Sequence, residues 1–226
     1  MIVAKGTDSG KKFKLVPAGL HLARCYRAID LGTQIFLTKG EEKKNRKVFI
    51  QFEVHGEDEF GNPMVTDNGD PMIIGKNYTL SLGEMAALRK HLQVWRGREF
   101  TPKELEGFQL SNILDQWAML AVIHTTGNDG RTYANIDSVM PVPANIKKAG
   151  LPVGHNKPVI FSIDSPDMEI FESFSDGLKA RIEKSPEWRS RMSYAPAPVR
   201  DSRPVAQQHS RPAAPAVEFE EDDVPF

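Results

Sequence analysis

Basic side chains alternate with aromatic rings along several short stretches of this chain. Arg24, Tyr26 and Arg27 share one stretch, Arg46, Lys47 and Phe49 another, Lys76 and Tyr78 a third, Arg131 and Tyr133 a fourth. Phe36, Lys39, Lys43 and Lys44 lie between the first two. Cations neutralise phosphate oxygens, and ring faces stack on planar bases whatever the base. A second kind of chemistry sits at the far end. Glu220, Glu221, Asp222 and Asp223 run into Val224, Pro225 and Phe226 and the terminal carboxylate. Such a segment buries no core of its own. Its acids steer it toward a basic partner, Phe226 offers a ring to a pocket, and Pro225 limits the ordering cost of docking.

Patterns for other chemistry are missing. The six histidines are scattered, with no His-Glu-x-x-His and no close Cys/His spacing. No Gly-x-Ser-x-Gly occurs, and Gly75-Lys76 is not preceded by the spacing of a phosphate loop. Asp58, Glu59, Asp67 and Asp70 could hold a metal, but in a Gly/Pro-rich stretch such residues more often favour turns and solvent. The sequence therefore suggests no catalytic constellation, no cofactor and no metal.

Composition bounds the classes further. At 226 residues and 40% apolar, the chain has room for one domain with extensions. Residues 212–226 hold five acids and no Lys or Arg, leaving 29 basic and 30 − 5 = 25 acidic residues in 1–211. A mildly cationic body with an anionic end suits a polyanionic partner rather than histone-like coating of duplex DNA. One cysteine, Cys25, excludes an intrachain disulfide and a cysteine zinc cluster, and fits a reducing, cytoplasmic setting. The start of the sequence has no signal-peptide pattern, and no stretch reaches the length of an apolar membrane span.

The positioning elements follow from periodicity. Residues 1–18 are expected to form a loose arm. Residues 20–31 have strand-like spacing, and a polar loop through Lys39–Asn45 follows. Lys47 to His55 is the clearest strand, with Val48, Ile50, Phe52 and Val54 alternating with Lys47, Phe49, Gln51 and Glu53. Residues 56–72 read as a loop and 73–80 as a third strand. A helix is expected from Ser81, with Glu84 completing a capping box and Gly97 at its end; Met85, Leu88, Leu92 and Trp95 share its apolar face. Thr101 and Glu104 carry the same capping chemistry. Trp117 to Thr125 and Arg131 to Met140 read as a hairpin, with Ala134, Ile136 and Met140 inward. Three strands, a helix and two strands is the element order of an OB-fold, so the expectation is an all-β core with minor α, a five-stranded barrel over 19–143. An extension over 144–188 is too small for its own core and should pack on the barrel or on a second subunit. Its composition gives way to a disordered Pro/Ala-rich tether over 189–217 and the acidic tip at 218–226.

The order of domain, leash and Asp-Asp-Val-Pro-Phe tip resembles the single-stranded DNA-binding proteins of bacteria and their phages. The run Leu88-Arg89-Lys90-His91-Leu92-Gln93-Val94-Trp95-Arg96-Gly97-Arg98-Glu99-Phe100-Thr101 is similar to a stretch common in the phage proteins. Val48-Phe49-Ile50-Gln51-Phe52-Glu53 and Tyr133-Ala134-Asn135-Ile136 are similar too. The resemblance implies an OB-fold that binds single strands in phage replication or recombination, in the host cytoplasm. It also implies a tip that recruits polymerases, helicases, nucleases or recombinases. The tetramer of the bacterial proteins does not carry over, although a homo-oligomer stays open.

In an OB-fold the usual binding face is that of strands 2 and 3, flanked by the loops joining strands 1–2 and 4–5. That face would carry Arg46, Lys47 and Phe49, with Lys76 and Tyr78. The first loop would add Phe36, Lys39, Lys43 and Lys44, the second Arg131 and Tyr133, and the first strand Arg24, Tyr26 and Arg27. Plainer readings stand beside these. Phe49 is either a stacking platform or a rim contact, and Tyr78 has core spacing with Ile74 and Leu80. Trp95 and Trp117 read as core, and Lys43-Lys44 beside Glu41-Glu42 also suits a solvated loop. The rival functions are strand annealing or recombination mediation, a metal-dependent nuclease built on loop 56–72, and a pure adaptor.

Overall fold

The strand from Lys47 outward behaves as its alternation requires. Val48, Ile50, Phe52 and Val54 are buried, and around them closes a core with Ala23, Cys25, Leu120, Val122 and Ile136. In this computed structural model residues 14–38 and 40–193 are described. Strands β1 (Gly19–Thr38), β2 (Glu41–His55), β3 (Ile73–Thr79), β4 (Trp117–Thr126) and β5 (Thr132–Met140) pair antiparallel in the order β3-β2-β1-β4-β5. A sixth strand, β6 (Val159–Phe161), pairs in parallel with Arg27–Ile29 of β1. The fold is therefore mainly β with a few short helices.

The sheet is open. No ladder joins β3 to β5, so the expected closed five-stranded barrel is not formed. The two edges nonetheless approach, and the Lys76 ammonium donates across the gap to the backbone carbonyl of Ile136. Helix α1 (Ala87–Arg96) lies against both β3 and β5 and buries Leu88, Leu92 and Trp95. Trp95 Nε1 donates to the Trp117 carbonyl at 2.9 Å.

Several expectations change. Residues 32–38 and 41–46 are strand, not loop: β1 and β2 stay paired out to Thr38 and Glu41, forming a ribbon that projects beyond β3 and β4. Helix α1 starts at Ala87, not Ser81. Ser81 Oγ accepts from the Gly83 N–H in a local turn, the helix has no side-chain cap, and Met85 is exposed. Its end is as read, with Gly97 in the left-handed region donating to Gln93 and Val94. Thr101 and Glu104 form the capping box of α2 (Pro102–Glu106). On β5 the inward set is Ala134, Ile136 and Val139, not Met140. The pairing skips from Val122–Ile136 to Ala121–Ser138, so a bulge at Asp137 reverses the alternation. The end of the expected loose arm is docked, with Val16 buried and its carbonyl accepting from His124 Nε2 at 2.8 Å.

The C-terminal segment forms a second, smaller apolar cluster on the outer side of β1 and β2. Helices α3 (Ala144–Ala149), α4 (Met168–Glu172), α5 (Asp176–Glu183) and α6 (Pro186–Ser193) accompany β6. Phe161, Ile163, Phe171, Phe174, Leu178, Ile182 and Trp188 bury Ile29 and Leu31 and pack against Phe49. Phe171 and Trp188 stack with centroids 4.4 Å apart. Helix α6 runs through Arg189, where the tether was expected to begin. Residues 1–13, Lys39, and 194–226, with the rest of the tether and the acidic tip, lie outside the described residues.

Candidate nucleic-acid interface

Residues whose side chains leave β2 away from the core are Lys47, Phe49, Gln51 and Glu53, and each meets a different environment. Glu53 is 0% exposed. Its carboxylate accepts from Arg24 Nε at 2.8 Å, from the backbone N–H groups of His155 and Asn156 at 2.9 and 2.7 Å, and from Asn156 Nδ2 at 2.7 Å. Burial alone would raise its pKa, but these bonds and one with His55 outweigh that and hold it well below the usual carboxylate range. Arg24 is thus the buried partner of Glu53 and Asp115, not an open cation.

Tyr26 and Tyr78 are also withdrawn from solvent, at 2% and 3% exposure. Tyr26 sits at a bulge between Cys25 and Arg27, which turns its ring into the protein. Tyr78 faces the main core with its hydroxyl 3.0 Å from His91 Nδ1. Neither offers a ring face to a base. Arg27 is half-buried over the Tyr26 and Phe174 rings. Lys76 points inward to the β3–β5 gap, where burial lowers its pKa. Arg46 is compensated by Asp30 at 2.5 Å and Asp164 at 2.8 Å.

A narrower set remains on the surface. Lys47 Nζ lies 5.4 Å from the centroid of the Phe36 ring, which is 37% exposed, and donates to Thr79 Oγ1 at 2.8 Å. Two residues along β2, Phe49 is half-buried beneath the guanidinium of Arg181, 5.8 Å from its ring centroid. Arg181 Nη2 donates to Asn77 Oδ1 of β3 at 2.7 Å. Beside these two ring–cation pairs opens a cleft of about 750 Å³ lined by Lys47, Asn77, Thr79, Ser81, Glu84 and Met85. Lys43 and Lys44 are exposed on the ribbon, and Lys44 pairs with Glu42 at 3.0 Å.

Arg131 and Tyr133 lie apart from this group. Tyr133 is 44% exposed, donates to Asp129 at 2.5 Å, and lines a separate cleft at the start of β3 with Ile73 and Gly75. Lys39 lies outside the described residues. Arg181 escaped the sequence reading because it belongs to a helix 104 residues from its partner Asn77, and no local pattern joins them.

The carboxylates of loop 56–72 are dispersed. Asp58 caps a turn by accepting from the Phe60 and Asn62 N–H groups at 2.9 and 2.8 Å, and Asp70 faces His155 at 3.3 Å. Among the described residues no three His, Cys, Asp or Glu side chains are grouped as metal ligands, and no helix is long and apolar enough to cross a membrane. No family model matches this chain, and no curated protein matches it.

Proposed function

We propose that the chain is a single-stranded DNA-binding protein of phage type, built on an OB-fold whose barrel is left open between β3 and β5. The strand order, with α1 bridging the third and fifth strands, supports the fold assignment. The observation that carries the function is the pair of ring–cation units, Phe36 with Lys47 and Phe49 with Arg181, set along one outer side of the sheet beside an open cleft. Rings for bases and cations for phosphates are what sequence-tolerant strand binding requires. The protein would cover exposed strands during replication or recombination and hand them to enzymes recruited through its acidic tip. It needs no catalytic group or cofactor for that work.

Titration of a fluorescent oligo-dT at several salt concentrations tests the reading. Affinity should fall with salt, with a log–log slope of about −0.7 for each phosphate contacted. Phe36→Ala should weaken binding by about 1–3 kcal/mol, the worth of one stacked base. An intact fold with no affinity at low salt would leave the adaptor reading in its place.

A further inference from the structure

We infer that Arg181 is a displaceable cover on Phe49, so that the ring is an exchange site where a nucleobase replaces the guanidinium and the guanidinium moves onto the adjoining phosphate. The inference rests on the strand-binding reading above and assigns a role to a residue of the C-terminal extension.

Phe49 is held against the sheet from below. A Cβ on Gly75 would lie 2.5 Å from Phe49 Cζ and 2.6 Å from Cε2, so the ring lies where only glycine leaves room. Arg181 lies over the ring from the extension. Its anchoring is uneven. The backbone carbonyl of Arg181 accepts from Gln34 Nε2 at 3.0 Å, and Leu178 and Ile182 of the same helix are buried. Among the described residues the side chain is held by the exposed bond to Asn77 and by the ring. Helix α5 can therefore stay docked while the guanidinium swings.

The charge gives a reason to swing. Among the described residues no carboxylate forms an ion pair with Arg181, unlike Arg24, Arg46, Arg96 and Arg98. Burial lowers its pKa, the mark of a cation short of a counter-charge. A phosphodiester supplies that charge in charge-assisted hydrogen bonds. A base stacked on the vacated ring face replaces the contact that the cation gives up by leaving it. The ligand class is a flexible strand of bases and phosphates, because the two halves of the exchange need a planar group and an anion one nucleotide apart.

The test uses the full chain and an oligo-dT carrying a single 2-aminopurine, whose fluorescence falls when it stacks. Arg181→Ala should make the log–log salt slope less negative by about 0.7, one phosphate, while the fluorescence loss persists. Arg181→Lys should restore the slope. Asn77→Ala, which frees the guanidinium but keeps its charge, should speed association and leave the slope unchanged. An Arg181→Ala protein with the wild-type slope, or one that no longer dims 2-aminopurine, overturns the exchange. A wild-type chain that ignores oligo-dT defeats the strand-binding reading itself, and the exchange with it.

Discussion

Glu53 and Asn156 are joined twice: one carboxylate oxygen accepts both the backbone N–H and the side-chain amide of Asn156, each at 2.7 Å. This contact, with Arg24 on the same carboxylate, fastens the segment between α3 and β6 to the outer side of β2. Farther along, Thr33 donates its N–H and hydroxyl to Glu187 at 2.9 and 2.5 Å. The apolar cluster between these two points does most of the holding, at about 1.5–3 kcal/mol for each large side chain fully buried. The polar ends set its register on the sheet.

Acid should loosen this attachment. The Glu53 carboxyl is held below its ordinary value of 4.5, so the folded state binds its proton less readily than the unfolded chain. Its contribution is therefore fully present above about pH 4.5 and is lost as pH falls toward the depressed folded value. Stability measured by urea unfolding should drop from pH 5 downward. Glu53→Gln should flatten that drop and cost stability at pH 7, toward the lower end of the roughly 3–5 kcal/mol for breaking a buried pair, because Asp115 still faces Arg24. A variant with wild-type stability and the same acid profile would show that the pair fastens nothing.

Two glycines of the extension should respond with opposite signs. A Cβ on Gly154 would overlap the Arg24 guanidinium, which is itself held by Glu53, Asp115 and the Asn156 carbonyl. Gly154→Ala must push that network aside, at the roughly 1–3 kcal/mol typical of overpacking. Gly177, in α5, has nothing within 4 Å of its notional Cβ and no positive φ. Gly177→Ala should instead stabilise by up to about 1 kcal/mol through helix propensity. Thermal or urea melts of both variants decide the matter, and equal shifts would contradict the close approach at Gly154.

Legibility in the sequence followed the range of the interaction. The alternation of Val48, Ile50, Phe52 and Val54 and the glycine stop at Gly97 are local, and both stand in the structure. The paired ends of β1 and β2, 32–38 and 41–46, did not read as strand because Glu41, Glu42, Lys43 and Lys44 look like a loop. Their strand form comes from cross-strand pairing, which sets Ile35, Phe36 and Leu37 of β1 opposite Lys44, Lys43 and Glu42 of β2. The bulges at Tyr26 and Asp137 reverse the alternation without any glycine to announce them. For the candidate site, Lys47 and Phe36 were readable as cation and ring. That Phe49 lies under Arg181, and Glu53 under Asn156, depends on contacts more than a hundred residues apart. Periodicity carries no information about what packs on an outward-facing ring.

The acidic end should act on charge and on recruitment separately. Residues 218–226 contain Glu218, Glu220, Glu221, Asp222 and Asp223, so their deletion moves the formal net charge from −1 to −1 + 5 = +4. Less repulsion from a polyanion should leave oligo-dT affinity equal or tighter, with the gain largest at low salt, where screening is weak. The same deletion should abolish binding to a purified replication or recombination enzyme that the full chain holds. Phe226→Ala should do so without changing the charge, because a pocket that accepts the Phe226 ring loses its anchor. If truncation instead weakens oligo-dT binding, the acids are not a repulsive element, and the end of the chain belongs to the strand-binding surface.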